Sequence, residues 1–157
     1  MGMAMIVACQ KTRTPPGPLE FSKDIVTLGW KIDNAFKNND AAALAPFYAE
    51  DAVLITREGM FKGRTAIAKY WVDLFGKVSF SNHLLDLDTF SVHVIGNSGD
   101  AALATLRFSQ TAEGLDLGNG YWSCVFVYEG DVLKILSQAI TATPTGTPSP
   151  TTSPGNR

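Results

Sequence analysis

Cysteine is nearly missing from this sequence. Cys9 and Cys124 are the only two, one in an N-terminal stretch and the other in a strand-like run, which argues against a structural disulfide and excludes a disulfide-built scaffold. Charge is sparse and balanced: fifteen acidic against thirteen basic side chains leave a net charge of −2. With no run of Lys or Arg to neutralise a phosphate backbone, nucleic-acid binding is not expected. No apolar stretch approaches the ~20 residues that a bilayer-spanning helix needs, so no transmembrane segment is expected. The two histidines, His83 and His93, stand ten residues apart without a local set of Asp, Glu or Cys; neither a metal site nor a cofactor is called for. Proline is scarce in the middle of the chain. Pro15, Pro16, Pro18, Pro144, Pro148, Pro150 and Pro154 lie near the ends and only Pro46 lies inside. This distribution delimits one domain over residues 19–140, between a flexible tail at 1–18 and a Thr/Ser/Pro-rich tail at 141–157. The latter has too little apolar surface to offset the entropy of ordering itself.

Ile6-Val7-Ala8-Cys9 resembles the end of a bacterial lipoprotein signal. Only eight residues precede Cys9, and none is Lys or Arg, whereas a working signal has a positive start and an apolar segment of ~7–15 residues. The chain as written therefore reads as cytoplasmic; a cell-envelope lipoprotein attached through Cys9 is the alternative.

Within the domain the first period is helical. Ile25, Leu28, Ile32, Ala35 and Phe36 recur at three- and four-residue steps between Phe21 and Asn38, which assigns Lys23, Lys31, Asp33 and Lys37 to the surface. Asp40 is placed to cap a short second helix from Ala41 to Tyr48. The β-branched run Ala52–Thr56 and the segment Met60–Lys62, joined through Gly59, predict a small hairpin. Gly63-Arg64-Thr65 opens a third helix with Ile67, Tyr70, Trp71 and Leu74 on its buried stripe. Glu50 and Asp51, adjacent at a helix exit, read as a capping turn and solvated charge rather than an acid–base pair.

Beyond residue 80 the period shortens to about two. Segments near 82–95, 100–112, 118–129 and 132–142 are divided by Gly-rich turns, predicting an antiparallel meander. Leu103, Val125 and Val127 oppose Ala102, Ala104, Leu106, Phe108, Trp122, Cys124 and Phe126, so several strands are apolar on both faces. One face packs on the helices; the other is expected to pack on a second copy, making a homodimer.

The order of these elements resembles the cone-shaped α+β fold of nuclear transport factor two, ketosteroid isomerase and the SnoaL-like polyketide cyclases: a curved antiparallel sheet packed on three N-terminal helices. Particular residues carry the resemblance. Asn39-Asp40 through Phe47-Tyr48-Ala49-Glu50-Asp51-Ala52-Val53 is similar to the family's "gD…l..lYaeDAv" signature, and Phe61-Lys62-Gly63-Arg64-Thr65-Ala66-Ile67 to its hairpin-to-helix junction. Gly120-Tyr121-Trp122 and Gly130–Ile135 resemble the closing strands, with Leu133 where Trp is usual. Ser91–Gly96 and Leu106–Gln110 are similar to the association domain of calcium/calmodulin-dependent protein kinase II.

The resemblance also tests the isomerase chemistry. The place of the steroid isomerases' general base is taken by Thr56, that of their oxyanion-hole Tyr by Ile32, and that of the partner Asp by a position near Cys124. A steroid-isomerase mechanism on that Asp/Tyr/Asp set is thereby excluded. What remains for a cone interior is His83, on the strand face of Leu85 and Leu87 and able to exchange protons near neutral pH, together with Tyr48, Thr56, Trp71, Trp122, Cys124 and Phe126 around an apolar cavity. For Arg107 two readings stay open. Strand alternation sends it outward to a dimer face, whereas the association-domain resemblance places it inside, where it would favour a carboxylate-bearing ligand.

These residues imply a small protein that binds an apolar small molecule in its cone. The alternatives are a cofactor-independent isomerase, cyclase or dehydratase acting by proton transfer through His83, and a non-catalytic association module.

Overall fold

The computed structural model describes residues 16–96, 99–112 and 115–143; Cys9 and the far ends of both tails lie outside them. Helix α1 spans Pro18–Lys37, starting before the periodic pattern because Pro18 occupies the first turn, where its missing N–H would have no partner anyway. Its buried stripe is Phe21, Ile25, Leu28, Gly29, Ile32, Asp33, Ala35 and Phe36. Asp33 thus belongs to the core side of the helix and not to the surface, a correction explained below by what it binds. Asn39, at φ 51°, turns the chain. Its side-chain amide then accepts the Phe80 N–H at 2.9 Å and donates to the Phe80 carbonyl at 3.3 Å, pinning the end of α1 to the start of a distant strand.

Helix α2 covers Ala41–Leu44, and the Asp40 carboxylate accepts the Ala43 N–H at 3.1 Å, the cap expected. A 3-10 turn over Ala45–Phe47 follows. Tyr48 does not end this helix; it opens strand β1 (Tyr48–Thr56), because the Pro46 turn releases the chain into extended backbone. Glu50 and Asp51 are consequently strand residues, and Glu50 meets Arg64 at 3.0 Å. Strand β2 (Gly59–Lys62) returns antiparallel, and helix α3 (Arg64–Phe75) buries Ile67 and Trp71.

Strands β3 (Phe80–Ile95), β4 (Ala101–Ala112), β5 (Leu115–Glu129) and β6 (Val132–Thr143) form the meander. The sheet order is β2-β1-β6-β5-β4-β3. It is mixed rather than purely antiparallel, since β1 runs parallel to β6. Parallel neighbours need a long crossover, and everything from α3 through β5 supplies it. A register shift between Asp86 and Ser91 marks the bulge that bends β3. The concave face presents Ala102, Ala104, Leu106, Phe108, Trp122, Cys124 and Phe126, all buried, to the helices.

Two close approaches shape the cone. A Cβ on Gly29 would lie 2.7 Å from a Leu87 methyl, so α1 sits directly against β3. A Cβ on Gly120 would lie 2.0 Å from the Thr141 carbonyl oxygen and 2.9 Å from Phe108, so only glycine lets β5 and β6 close up beneath the Phe108 ring.

Candidate functional site

An aromatic cavity of about 660 Å³ opens between the helices and the concave sheet. Phe36 of α1, Tyr70 and Trp71 of α3, Phe80 and Phe108 of β3 and β4, and Trp122 of β5 form its walls; Thr56, Arg57 and Glu58, at the β1–β2 turn, stand at its mouth. Phe36 is the hub, with ring centroids 5.4 Å from Trp71, 5.0 Å from Phe75, 5.1 Å from Phe80 and 6.2 Å from Trp122. Edge-on and tilted contacts of this kind stabilise beyond simple area burial. At the mouth the Thr56 hydroxyl donates to Glu58 at 2.8 Å, and that bond holds the Glu58 carboxyl below its usual pKa.

His83 is packed into this wall with no exposed surface. Its ring stacks on Phe36 at 3.9 Å and lies 5.3 Å from Trp122 and 6.0 Å from Phe108, three rings that all line the cavity. Nδ1 is 2.8 Å from the Asp33 carboxylate, which also accepts the Leu85 N–H at 3.2 Å with each oxygen. Because β3 is an edge strand, alternate N–H groups face no neighbouring strand, and Asp33 takes one of them. Burial lowers the pKa of His83 below its ordinary 6.5, opposed by the hydrogen bond and charge of Asp33 and reinforced by Lys37. A neutral ring with its proton on Nδ1, toward Asp33, would leave a lone pair on Nε2. Nε2 has no hydrogen-bond partner.

A second polar group lies behind Trp71. The Trp71 indole N–H donates to the Tyr48 hydroxyl at 3.1 Å, and that hydroxyl donates to Gln138 Oε1 at 2.5 Å. Burial pushes the Tyr48 phenol far above its usual pKa, so it serves as a neutral hydrogen-bonding link. Burial likewise raises the Cys124 thiol well out of the nucleophilic range.

Among the residues expected at the cavity, Thr56, Trp71 and Trp122 line it, His83 packs against three of its walls, and Tyr48 stands one hydrogen bond behind Trp71. Cys124 and Phe126 do not reach the lining: they are fully or almost fully buried, farther down β5 and under the helices. Arg107 is exposed. It sits across from Asp86 and Tyr121 on the outer face, so alternation decides its direction and it does not enter the aromatic cavity. It borders a separate groove of about 780 Å³ along the β3 edge, whose lining also includes Trp30, Lys37, Asp86 and, at its inner wall, Asp33. No group of three or more His, Cys, Asp and Glu side chains able to hold a metal occurs among the described residues, and no helix among them is long and apolar enough to cross a membrane.

The SnoaL-like domain model matches residues 32–135, a span that includes the α1 carboxylate, the aromatic walls of the cavity and His83. The chain belongs to the SnoaL-like domain family. Solved structures similar to this SnoaL-like domain include a nuclear-transport-factor-two-like protein of unknown function from Pseudomonas putida, 18% identical over 82% of this chain and 96% of that one, with a TM-score of 0.66. A structure described as a calcium/calmodulin-dependent protein kinase II association domain, from Xanthomonas campestris, is 17% identical over 79% and 89%, TM-score 0.62. One described as a scytalone dehydratase, from Novosphingobium aromaticivorans, is 15% identical over 80% and 85%, TM-score 0.61. At these identities the likeness establishes the fold: an α+β cone of the nuclear-transport-factor-two type. No curated protein matches the chain.

Asp33 and Gln138 escaped sequence reasoning. Asp33 falls four residues after Gly29 and three before Phe36, squarely on the apolar stripe; that geometry, and not its charge, was the available signal. Gln138 follows the register shift between the Val125↔Ser137 and Phe126↔Ile135 pairs, and such a bulge reverses which side chains face inward.

Proposed function

We propose that this SnoaL-like domain binds a flat, mainly apolar small molecule in the aromatic cavity and presents His83 to it as a proton acceptor, with Asp33 as the positioning residue. One observation carries the reading: an imidazole whose Nδ1 is held by a carboxylate has its Nε2 unpartnered and its ring packed against three rings that line the cavity. Such a base serves isomerisation, cyclisation or dehydration, in which a proton leaves carbon or oxygen and is returned elsewhere on the substrate or to its leaving hydroxyl. The structural neighbour described as a scytalone dehydratase supports that class. No cofactor enters this reading. A ligand's carboxylate would meet Arg57 at the mouth rather than Arg107. Titration with naphthalene is expected to quench the fluorescence of Trp71 and Trp122 saturably, with Trp71→Ala weakening binding roughly tenfold or more; absence of saturable quenching would refute the cavity reading.

We further propose that the protein is a homodimer through its outer sheet face. Ile95, Ala101 and Val127 form one cross-strand row and His93, Leu103 and Val125 the next. Leu103, Ile95 and Tyr121 are exposed there, an apolar surface that a second copy would cover. The association-domain neighbour supports assembly through this fold. Sedimentation at micromolar concentration is expected to show a dimer for the native chain and a monomer for Leu103→Lys; a monomeric native chain would contradict it.

A further inference from the structure

Among the described residues, Arg57 and Glu58 are the charged side chains that line the aromatic cavity, and both stand on the turn that joins β1 to β2. Bonds within the protein hold the Glu58 carboxylate in place. The Thr56 hydroxyl accepts the Glu58 backbone N–H at 3.1 Å and donates to Glu58 Oε2 at 2.8 Å, so one oxygen ties down both ends of the residue. From α3 the Tyr70 hydroxyl donates to the same Oε2 at 3.4 Å, and Arg57 Nε donates to Oε1 at 3.4 Å. Tyr70 is itself fixed by Phe61 and Trp71, with ring centroids at 4.6 and 5.0 Å. The bond from Thr56 holds the Glu58 carboxyl below its ordinary pKa, whereas burial and the Glu58 charge raise that of Tyr70. At neutral pH Glu58 can therefore only accept, and Tyr70 keeps its proton.

Resting on the cavity reading above, we propose that Glu58 is a specificity-determining residue, and that the ligand carries a hydroxyl on the outer edge of its flat body, donated to the Glu58 carboxylate. A carboxylate offers about four acceptor positions, so the bonds from Thr56, Tyr70 and Arg57 leave room for a further donor. Glu58 is a lining residue with half of its side chain exposed, within direct reach of a molecule whose rings lie against Tyr70 and Trp71. The ligand's donor is neutral because of Arg57: its guanidinium already balances the carboxylate, and an ammonium would meet that cation where a hydroxyl would not. An ether or ketone has no proton to give and gains nothing from Glu58. Of the uncharged polar lining groups, the Thr141 hydroxyl is donated to the Tyr121 carbonyl, and Gln110 stands on β4, three strands from β1. An ionised acceptor makes a hydrogen bond roughly twice as strong as a neutral one, so Glu58 dominates the choice.

Matched probes test this by equilibrium dialysis at pH 7. Naphthalene, 2-naphthol and 2-methoxynaphthalene share a body; the second carries a donor, and the third carries the same oxygen without one. The native protein is expected to bind 2-naphthol roughly five- to tenfold more tightly than either of the others. Glu58→Met is expected to bring the ratio of 2-naphthol to 2-methoxynaphthalene affinity to about one; a preference caused only by the bulk of the methyl group would persist in that variant. Equal affinity of the native protein for 2-naphthol and 2-methoxynaphthalene, or a preference that survives Glu58→Met, overturns the Glu58 assignment alone. Failure of all three probes to bind overturns the cavity reading beneath it. The comparison of 2-naphthol with 2-methoxynaphthalene on the native protein decides against Glu58 without any variant, and Glu58 is exposed on a turn, where substitutions seldom disturb folding.

Discussion

Replacing Asp33 by alanine is expected to cost about 3–5 kcal/mol of stability, because it strands two buried groups at once, each at about 1–3 kcal/mol. The groups are the His83 ring N–H and the Leu85 backbone N–H, both donated to that single carboxylate. In a domain of this size the loss corresponds to a fall in Tm on the order of 10 °C. The double variant Asp33→Leu/His83→Phe removes donor and acceptor together, leaving only the Leu85 N–H, and is expected to recover more than half of the loss. Urea unfolding at pH 7 measures both. A single-variant cost below about 1 kcal/mol would mean that the carboxylate does not hold the ring.

The same pair sets an acid response. With the pKa of His83 lowered by burial in the folded state, the unfolded chain binds this proton more readily, so stability falls as pH drops through the ordinary value of 6.5 toward the lower folded one. His83→Phe is expected to lack that portion of the loss.

Phe36→Ala carries the next largest effect, about 3–5 kcal/mol for truncating a core aromatic. Phe36 is 2% exposed and touches five other rings, including the stacked His83. Its removal enlarges the cavity beside His83, so naphthalene is expected to bind with altered affinity even in conditions where the variant remains folded. Phe36→Leu, which keeps most of the volume, is expected to cost less than half as much. Equal cost for the two variants would show that losing the ring contacts, and not losing volume, sets the effect.

The helices and the meander were legible because their periods are clean. Ile25, Leu28, Ile32 and Phe36 can only be one helix face, and the Gly-rich breaks at 96–99 and 130–131 can only be turns between strands. Pairing between β1 and β6 was not legible, since strands eighty residues apart in sequence carry no local mark of being parallel neighbours. At the site, His83 was found because its alternation with Leu85 put it on the inner face. Cys124 shares an inner face with Trp122, yet alternation says nothing about depth along the strand, and it ends beneath the cavity rather than in its wall. Asp33 was missed because a charge on an apolar stripe is ordinarily a boundary residue; only the edge-strand N–H and the imidazole opposite, both distant in sequence, make its burial favourable.

The central claim is that His83 is a neutral base held by Asp33, with its other nitrogen unpartnered among rings that line the cavity. Nitrogen-15 NMR of the labelled imidazoles tests it directly, with only His93 as a second signal. The account predicts that at pH 7 His83 shows a protonated Nδ1 and an unprotonated Nε2, that it titrates below 6.5, and that its signals shift when naphthalene is added. A ring protonated at both nitrogens at pH 7, or one carrying its proton on Nε2, would contradict it.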